Sequence, residues 1–129
     1  MTARTTLLLL ALTLHTQPAM PLAHVERGVA ARYRKGIMEH VSRVRHMEQP
    51  AGTCLIARLT RADLGRWYMV QGRGHTLRCL VVDYAHPRDR ARIQARSIIA
   101  EIRHEDAAVL CGSVRDSPRH CPIRVWRTQ

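Results

Sequence analysis

The first residues of this 129-residue chain limit what the rest can be. One cation, Arg4, precedes an eight-residue apolar run, Leu7 to Leu14, and small residues with two prolines follow. This order is typical of a secretory signal peptide. The run is shorter than the roughly 20 residues that a membrane-spanning helix needs, and a buried core helix is the alternative. We assign 1–23 to a signal cleaved between Ala19 and Ala23, and 24–129 to one secreted, extracellular domain.

All four cysteines, Cys54, Cys79, Cys111 and Cys121, lie after this segment. An even number in a small exported domain predicts two disulfide bonds. Three pairings are possible, and we favour the two that join neighbours in the chain. Zinc is the alternative, because the chain also has eight histidines. Structural zinc sites usually show close ligand pairs such as C-x2-C, and none is present here. We therefore expect no metal and no other cofactor.

The charge of the chain is strongly positive, with 21 basic and 10 acidic residues and a net charge of +11. In an exported protein this favours cell-wall polysaccharide or another anionic polymer as partner. Nucleic acid is disfavoured by export and by the few aromatic residues. Arginine outnumbers lysine twenty to one, a bias that a GC-rich genome would also produce. We expect a monomer with no integral membrane segment once the signal is removed.

Short strands dominate the predicted secondary structure. An apolar stripe predicts a helix over Ile37–Val44, and acids in the first turn predict one over 104–111, where Glu105 and Asp106 would complement the helix dipole. The segment 85–96 is either a helix with Pro87 in its first turn or a polar loop. We expect a hairpin across Gly72 and Gly74 and a loop over 113–122. The expected strands are 54–59, 66–71, 76–83, 97–102 and 123–126.

Three short motifs, in order, carry a family resemblance. They are Ala31–Gly36 (ARYRKG), Val81–Pro87 (VVDYAHP) and Ile99–Ala108 (IAEIRHEDAA). Together they resemble the double-psi β-barrel domain of the RlpA-like, expansin and barwin group, over Ala30 to Arg127. The resemblance implies an all-β fold, a small six-stranded double-psi β-barrel with one or two short helices. It also implies a strand over Ala31–Gly36, in partial conflict with the helix predicted next to it.

The resemblance further implies a groove that binds polysaccharide. Asp83 and Glu101 would be its catalytic acids, and Tyr33, Trp67 and Tyr84 would contact the sugar. Of Trp67 and Tyr68, alternation along a strand allows only one to face outward. We expect Trp126 in the core or sealing the barrel.

The chain departs from the family pattern in three ways: Arg103 replaces a serine, the second acid is a glutamate, and the opening segment continues as Met38–Val41 instead of a T-A-S-G stretch. The missing serine and the altered opening segment favour a binding or wall-loosening protein. The alternatives are a lytic transglycosylase, which cuts glycan strands without water using Glu101 and Asp83, and a secreted cationic antimicrobial or effector protein.

Overall fold

The computed structural model describes residues 24–112 and 120–128. The assigned signal, 1–23, therefore lies outside the described residues. Six strands are present: β1 Glu26–Arg32, β2 Cys54–Arg58, β3 Trp67–Gly72, β4 His75–Tyr84, β5 Ile98–Ile102 and β6 His120–Arg127. The helices are α1 Ile37–Val44, α2 Arg90–Ala95 and α3 His104–Cys111, and the short 3-10 turns are Arg61–Asp63 and Pro87–Asp89.

The strands close into a barrel in the order β1-β5-β2-β4-β3-β6. Two neighbouring pairs, β1 with β5 and β2 with β4, are parallel, and the other four pairs are antiparallel. This confirms the predicted all-β fold, a small closed six-stranded barrel of the double-psi kind. Its helices number three in the part of the chain that is described, because the ambiguous segment 85–96 contains a helix, α2.

The β3–β4 hairpin forms where the glycines predicted it. Its two turn residues, Arg73 and Gly74, both have positive φ angles, 49° and 77°. This is the geometry of a tight turn whose twist matches the twist of its strands. The helix predicted over Ile37–Val44 is present along its whole length. The family-implied strand is displaced, because β1 spans Glu26–Arg32 and ends before Tyr33.

Apolar side chains form two clusters, one on each face of the sheet. The barrel interior contains the larger cluster, whose fully buried members include Ile56, Ile102 and Leu110. A second cluster lies outside the barrel, between α1 and strands β2 and β4. It consists of Met38, Leu55, Ala57, Leu80 and Val82. All five residues of β2 are buried because this strand has packed residues on both faces.

Two disulfide bonds join the pairs of cysteines that are neighbours in the chain. Cys54 and Cys79 are opposite each other on the parallel strands β2 and β4, with Cα atoms 4.5 Å apart. Cys111, at the end of α3, is joined to Cys121 on β6, with Cα atoms 5.5 Å apart. One bond therefore links two wall strands, and the other holds α3 against the barrel.

The loop predicted over 113–122 is too long at its C-terminal end, because β6 begins at His120; residues 113–119 lie outside the described residues. Pro122 lies opposite Val29 of β1, but the pairing of β6 with β3 begins only at Arg124. A proline can occupy a strand where no partner needs its missing N–H group, and this position meets that condition. Within 24–112 and 120–128, no helix is long and apolar enough to cross a membrane.

Candidate functional site

A β-bulge near the end of β4 places Asp83 on the outer face of the barrel. Val81 pairs with Ile56 of β2, but the next residue of β2, Ala57, pairs with Asp83, so Val82 is an extra residue. Strict alternation from the buried Cys79 and Val81 would have turned Asp83 into the barrel. A bulge resets that alternation, as bulges near functional sites often do. Asp83 therefore lies on the same face as Ala57.

Glu101 of β5 lies in the same row. It pairs with Ala57 from the other side, so Asp83, Ala57 and Glu101 follow one another across the strands β4, β2 and β5. Adjacent strands are about 4.8 Å apart, which separates the two acidic residues by roughly 10 Å at the backbone. Between them Ala57 contributes only a methyl group. The two carboxyl side chains consequently share one face, on either side of the buried Ala57.

Tyr33, the first residue after β1, connects the two acids. Its hydroxyl donates a 2.8 Å hydrogen bond to Oδ2 of Asp83, and it also interacts with the Glu101 carboxylate. Its backbone N–H donates a 2.9 Å hydrogen bond to the Ile102 carbonyl, which fixes its position beside β5. Burial and the neighbouring Asp83 carboxylate raise the pKa of Tyr33 far above its usual value. The phenol therefore stays protonated and acts as a donor.

The two carboxyl groups have different surroundings. Asp83 accepts a 2.9 Å charged hydrogen bond from Arg45, which follows α1 directly. Glu101 borders an apolar niche lined in part by Ala85 and Ile93. Its burial, followed by the negative charge of Asp83, raises the pKa of Glu101, and the nearby Tyr33 hydroxyl opposes this. The site thus combines an ion-paired carboxylate with a carboxyl group that retains its proton to higher pH.

The aromatic residues predicted to contact sugar occupy different places. Tyr84 lies next to the acids, and the Arg45 guanidinium is 4.8 Å from its ring centroid. Trp67 faces outward and packs against the cluster under α1, with Arg78 stacked 4.0 Å from its ring centroid. Tyr68 faces the barrel interior and donates a hydrogen bond to Asp63. The structure thus brings Tyr33 and Tyr84 to the acids, while Trp67 lies on another part of the outer face.

An open groove of about 590 Å³ runs beside Asp83. Residues of α1 and the turn after it form one side, and Leu64 and Asp83 complete it. The lining from the α1 side consists of His40, Val41, Val44, Arg45 and Met47. Both apolar and hydrogen-bonding groups therefore border the groove.

Two arginines near the site make contacts that the sequence did not predict. Nothing distinguishes Arg45 from the many other arginines until the end of α1 is placed against β4. Arg103 takes the position of the family serine and makes no side-chain cap. It instead donates two hydrogen bonds, of 2.8 and 2.9 Å, to Asp106. Asp106 is buried and also accepts one from the Leu55 N–H, so α3 is tied to β2.

Trp126 does not lie in the core or seal the barrel, contrary to expectation. It follows the buried Val125 on β6, so alternation turns it to the outer face, where it is half-buried opposite Met69. Among residues 24–112 and 120–128, no three histidine, cysteine or acidic side chains come together in a way that would hold a metal ion.

The fold is shared with expansins of known structure. A Clavibacter michiganensis expansin, solved as a mutant in complex with cellohexaose, superimposes with a TM-score of 0.58 and 19% identity over 82% of this chain. The apo form gives a TM-score of 0.57, also at 19% identity and 82% coverage. The chain spans about half the length of these structures, 51%. No protein-family model and no curated protein matches the sequence. The likeness establishes a common barrel fold.

Proposed function

From the barrel fold that the chain shares with expansins, we propose that it is a secreted protein that binds and loosens wall polysaccharide. The binding surface is the row Asp83–Ala57–Glu101 with Tyr33 and the adjoining groove. One observation carries the proposal: three residues distant in sequence, Tyr33, Asp83 and Glu101, converge on one face of the barrel beside the groove. The two disulfide bonds fit an oxidising compartment outside the cytoplasm.

The chemistry of this surface suits a sugar chain. Carboxylate oxygens of Asp83 accept hydrogen bonds from sugar hydroxyls, and the guanidinium of Arg45 donates them. Val44 and Met47 in the groove wall offer apolar surface to the C–H faces of sugar rings. The groove is open rather than enclosed, so a polymer can lie along it without an end having to enter. The complex of a related barrel with cellohexaose supports a glycan as ligand.

Binding without cleavage is favoured because Asp83 already has two partners. The side chains of Tyr33 and Arg45 occupy its two oxygens, which leaves it poorly placed as a free base. A separate observation supports lytic transglycosylation as the second candidate. The raised pKa of Glu101 favours its protonated form, and that form can donate a proton to a glycosidic oxygen. The 6-hydroxyl of the same sugar would then attack C1 and return a proton to Glu101, which gives an anhydro-sugar end.

The test uses the purified, oxidised chain with insoluble cellulose and with denuded peptidoglycan glycan strands. Co-sedimentation measures binding, and mass spectrometry of the supernatant detects anhydro-sugar products. Asp83→Asn and Tyr33→Phe should each weaken retention several-fold, because each loses a charged hydrogen bond. Glu105→Gln, at an exposed acid on α3, is the matched control.

Retention without products supports binding alone. Anhydro-sugar products from the wild type that are absent with Glu101→Gln would instead support lytic transglycosylation. If neither polymer retains the wild-type chain, or if the Asp83 and Tyr33 variants bind like the Glu105 control, the proposal is overturned.

A further inference from the structure

The wall of the barrel opposite the acidic row carries a pair of exposed arginines on neighbouring strands. In the closed strand order, β6 is three strands from β2 in both directions, so the two strands lie on opposite sides. Arg124 of β6 pairs with Arg27 of β1 on one side and with Gln71 of β3 on the other. Both arginines are exposed: Arg124 lies between Ile123 and Val125, which point into the barrel, and Arg27 is opposite it on β1. We call the outer face of β1, β6 and β3 the arginine wall.

The pairing of Arg27 with Arg124 is electrostatically unfavourable. Like charges directly opposite each other on neighbouring strands destabilise a sheet. In the parts of the chain that are described, neither guanidinium hydrogen-bonds or ion-pairs with another protein group. The nearest acid in sequence, Glu26, forms an ion pair with the buried Arg58 instead. The fold thus keeps two positive charges side by side without a protein counter-charge, as expected where an external anion supplies it.

A groove of about 360 Å³ runs along this row. Arg73 from the β3–β4 turn extends over it, and its guanidinium donates to the Cys111 carbonyl at 3.4 Å. Gly28 and Gly72 line the groove, and no acidic residue does. The three arginines and Gln71 therefore surround an accessible, acid-free channel.

The aromatic ring of Trp126 lies on the same outer face of β6 as Arg124. Trp126 is two residues from Arg124 on β6, about 7 Å away, and both point outward. It is half-buried opposite Met69, and it belongs to neither apolar cluster. An exposed indole face stacks on sugar rings, and guanidinium groups bind carboxylates in a planar, two-pronged way. A ring platform beside a row of cations matches a polymer whose sugars each carry a carboxylate.

We propose that the arginine wall is a second binding site, for a carboxylate-bearing acidic polysaccharide. Arg27, Arg73 and Arg124 bind the carboxylates, and Trp126 stacks on a sugar ring. The acidic row and the arginine wall face opposite directions, so each site binds its own polymer segment, and one molecule can attach to two strands of a wall. The arginine wall does not depend on the function proposed for the acidic row.

The experiment measures binding of the oxidised chain to polygalacturonate, to its methyl-esterified form and to single-stranded DNA, at low and high salt. Arg27→Gln/Arg124→Gln should bind polygalacturonate roughly tenfold more weakly, since two charged hydrogen-bonding groups are lost. Arg61→Gln/Arg96→Gln removes the same charge at exposed sites elsewhere and should lose far less. Binding of the wild type should weaken with salt and with esterification. In a Trp67→Phe chain, Trp126 is the remaining tryptophan, and its emission should change on binding.

Equal losses in the two double variants would overturn the proposal, because charge alone would then explain binding. Tighter binding of single-stranded DNA than of polygalacturonate would overturn the assignment to a polysaccharide. Asp83→Asn should bind polygalacturonate like the wild type; if it does not, the acidic row binds both polymers and there is no second site. If the chain binds polygalacturonate but is not retained by cellulose, the second site is supported and the function proposed for the acidic row is wrong. Thermal unfolding of each variant verifies that the barrel is intact.

Discussion

The hydroxyl of Tyr33 donates a 2.8 Å hydrogen bond to the carboxylate of Asp83, 50 residues further along the chain. The bond ties the segment after β1 to the end of β4, although these strands are not neighbours in the barrel. The Arg45 guanidinium holds the other oxygen of the same carboxylate. Asp83 is thereby held from two sides, one partner on each carboxylate oxygen.

Replacing Tyr33 by phenylalanine removes this bond and keeps the ring. A hydrogen bond to a charged acceptor contributes about 1.5–3 kcal/mol. Because Tyr33 is only partly buried, we expect the free energy of unfolding to fall by about 1–2 kcal/mol. Chemical denaturation measures the change. Tyr84→Phe, whose hydroxyl makes no hydrogen bond to the described residues, is the matched control and should be nearly neutral. Equal destabilisation by both variants would contradict the role given to the Tyr33 hydroxyl.

Glu101→Gln should change how stability depends on pH. Burial and the charge of Asp83 raise the pKa of Glu101 above its ordinary value of 4.5. The folded state therefore binds this proton more tightly than the unfolded state does. The stabilisation is complete below pH 4.5 and is lost as the pH rises through the higher, folded-state pKa.

Relative to Glu101→Gln, the wild type should become less stable as the pH rises above 4.5, until the difference levels off. Thermal unfolding of both proteins across this pH range measures the difference, with Glu105→Gln as a surface acid-to-amide control. A wild type that gains stability over the Glu101 variant with rising pH would show that the sign is wrong.

Arg58 is a buried cation on which several groups depend. Its side chain is 8% exposed, donates a 2.6 Å hydrogen bond to the Ile99 carbonyl and ion-pairs with Glu26 and Asp63. Arg58→Met leaves these acceptors without their partner and should cost about 3 kcal/mol of stability, roughly 12–24 °C in melting temperature for a domain of this size. Arg66→Met removes a more exposed cation, 3.6 Å from Asp63, and should cost less than about 1 kcal/mol. Similar losses from both variants would show that burial of Arg58 is not decisive.

The two disulfide bonds should contribute unequally to stability. Cys54–Cys79 closes a loop of 25 residues and Cys111–Cys121 one of 10. Chain entropy makes the longer loop worth about 1 kcal/mol more, within the usual range of about 2–4 kcal/mol per bond. Paired Cys→Ser variants compared by urea unfolding test the order. A larger loss from Cys111→Ser/Cys121→Ser would show that holding α3 in place outweighs chain entropy.

Much of the barrel could be predicted from local sequence. The run from Thr76 to Asp83 alternates poorly but is rich in β-formers, and Gly72 and Gly74 mark the hairpin before it. The apolar stripe of α1 predicted the length of the helix correctly, because one face of the helix packs on the sheet. The start of β6 was not predicted, since a proline normally breaks a strand. Pro122 is tolerated because it pairs only with β1 and has no partner on β3.

The candidate site depended on features that no local pattern carries. The bulge at Val82 decides which way Asp83 faces, and it is visible only in the register between β2 and β4. Arg45 becomes a partner of Asp83 only when α1 packs against β4. Trp126 was expected in the core because large aromatic residues are usually buried. On β6 it follows the inward-facing Val125, so alternation turns it outward.

Ala57 gives the acidic row a property that loops cannot provide. The spacing of the two carboxyl groups comes from the hydrogen-bonded backbones of three strands and one intervening methyl group. Because the closed sheet fixes this spacing, sequence changes in the surrounding connections would leave the distance between the two acids unaltered.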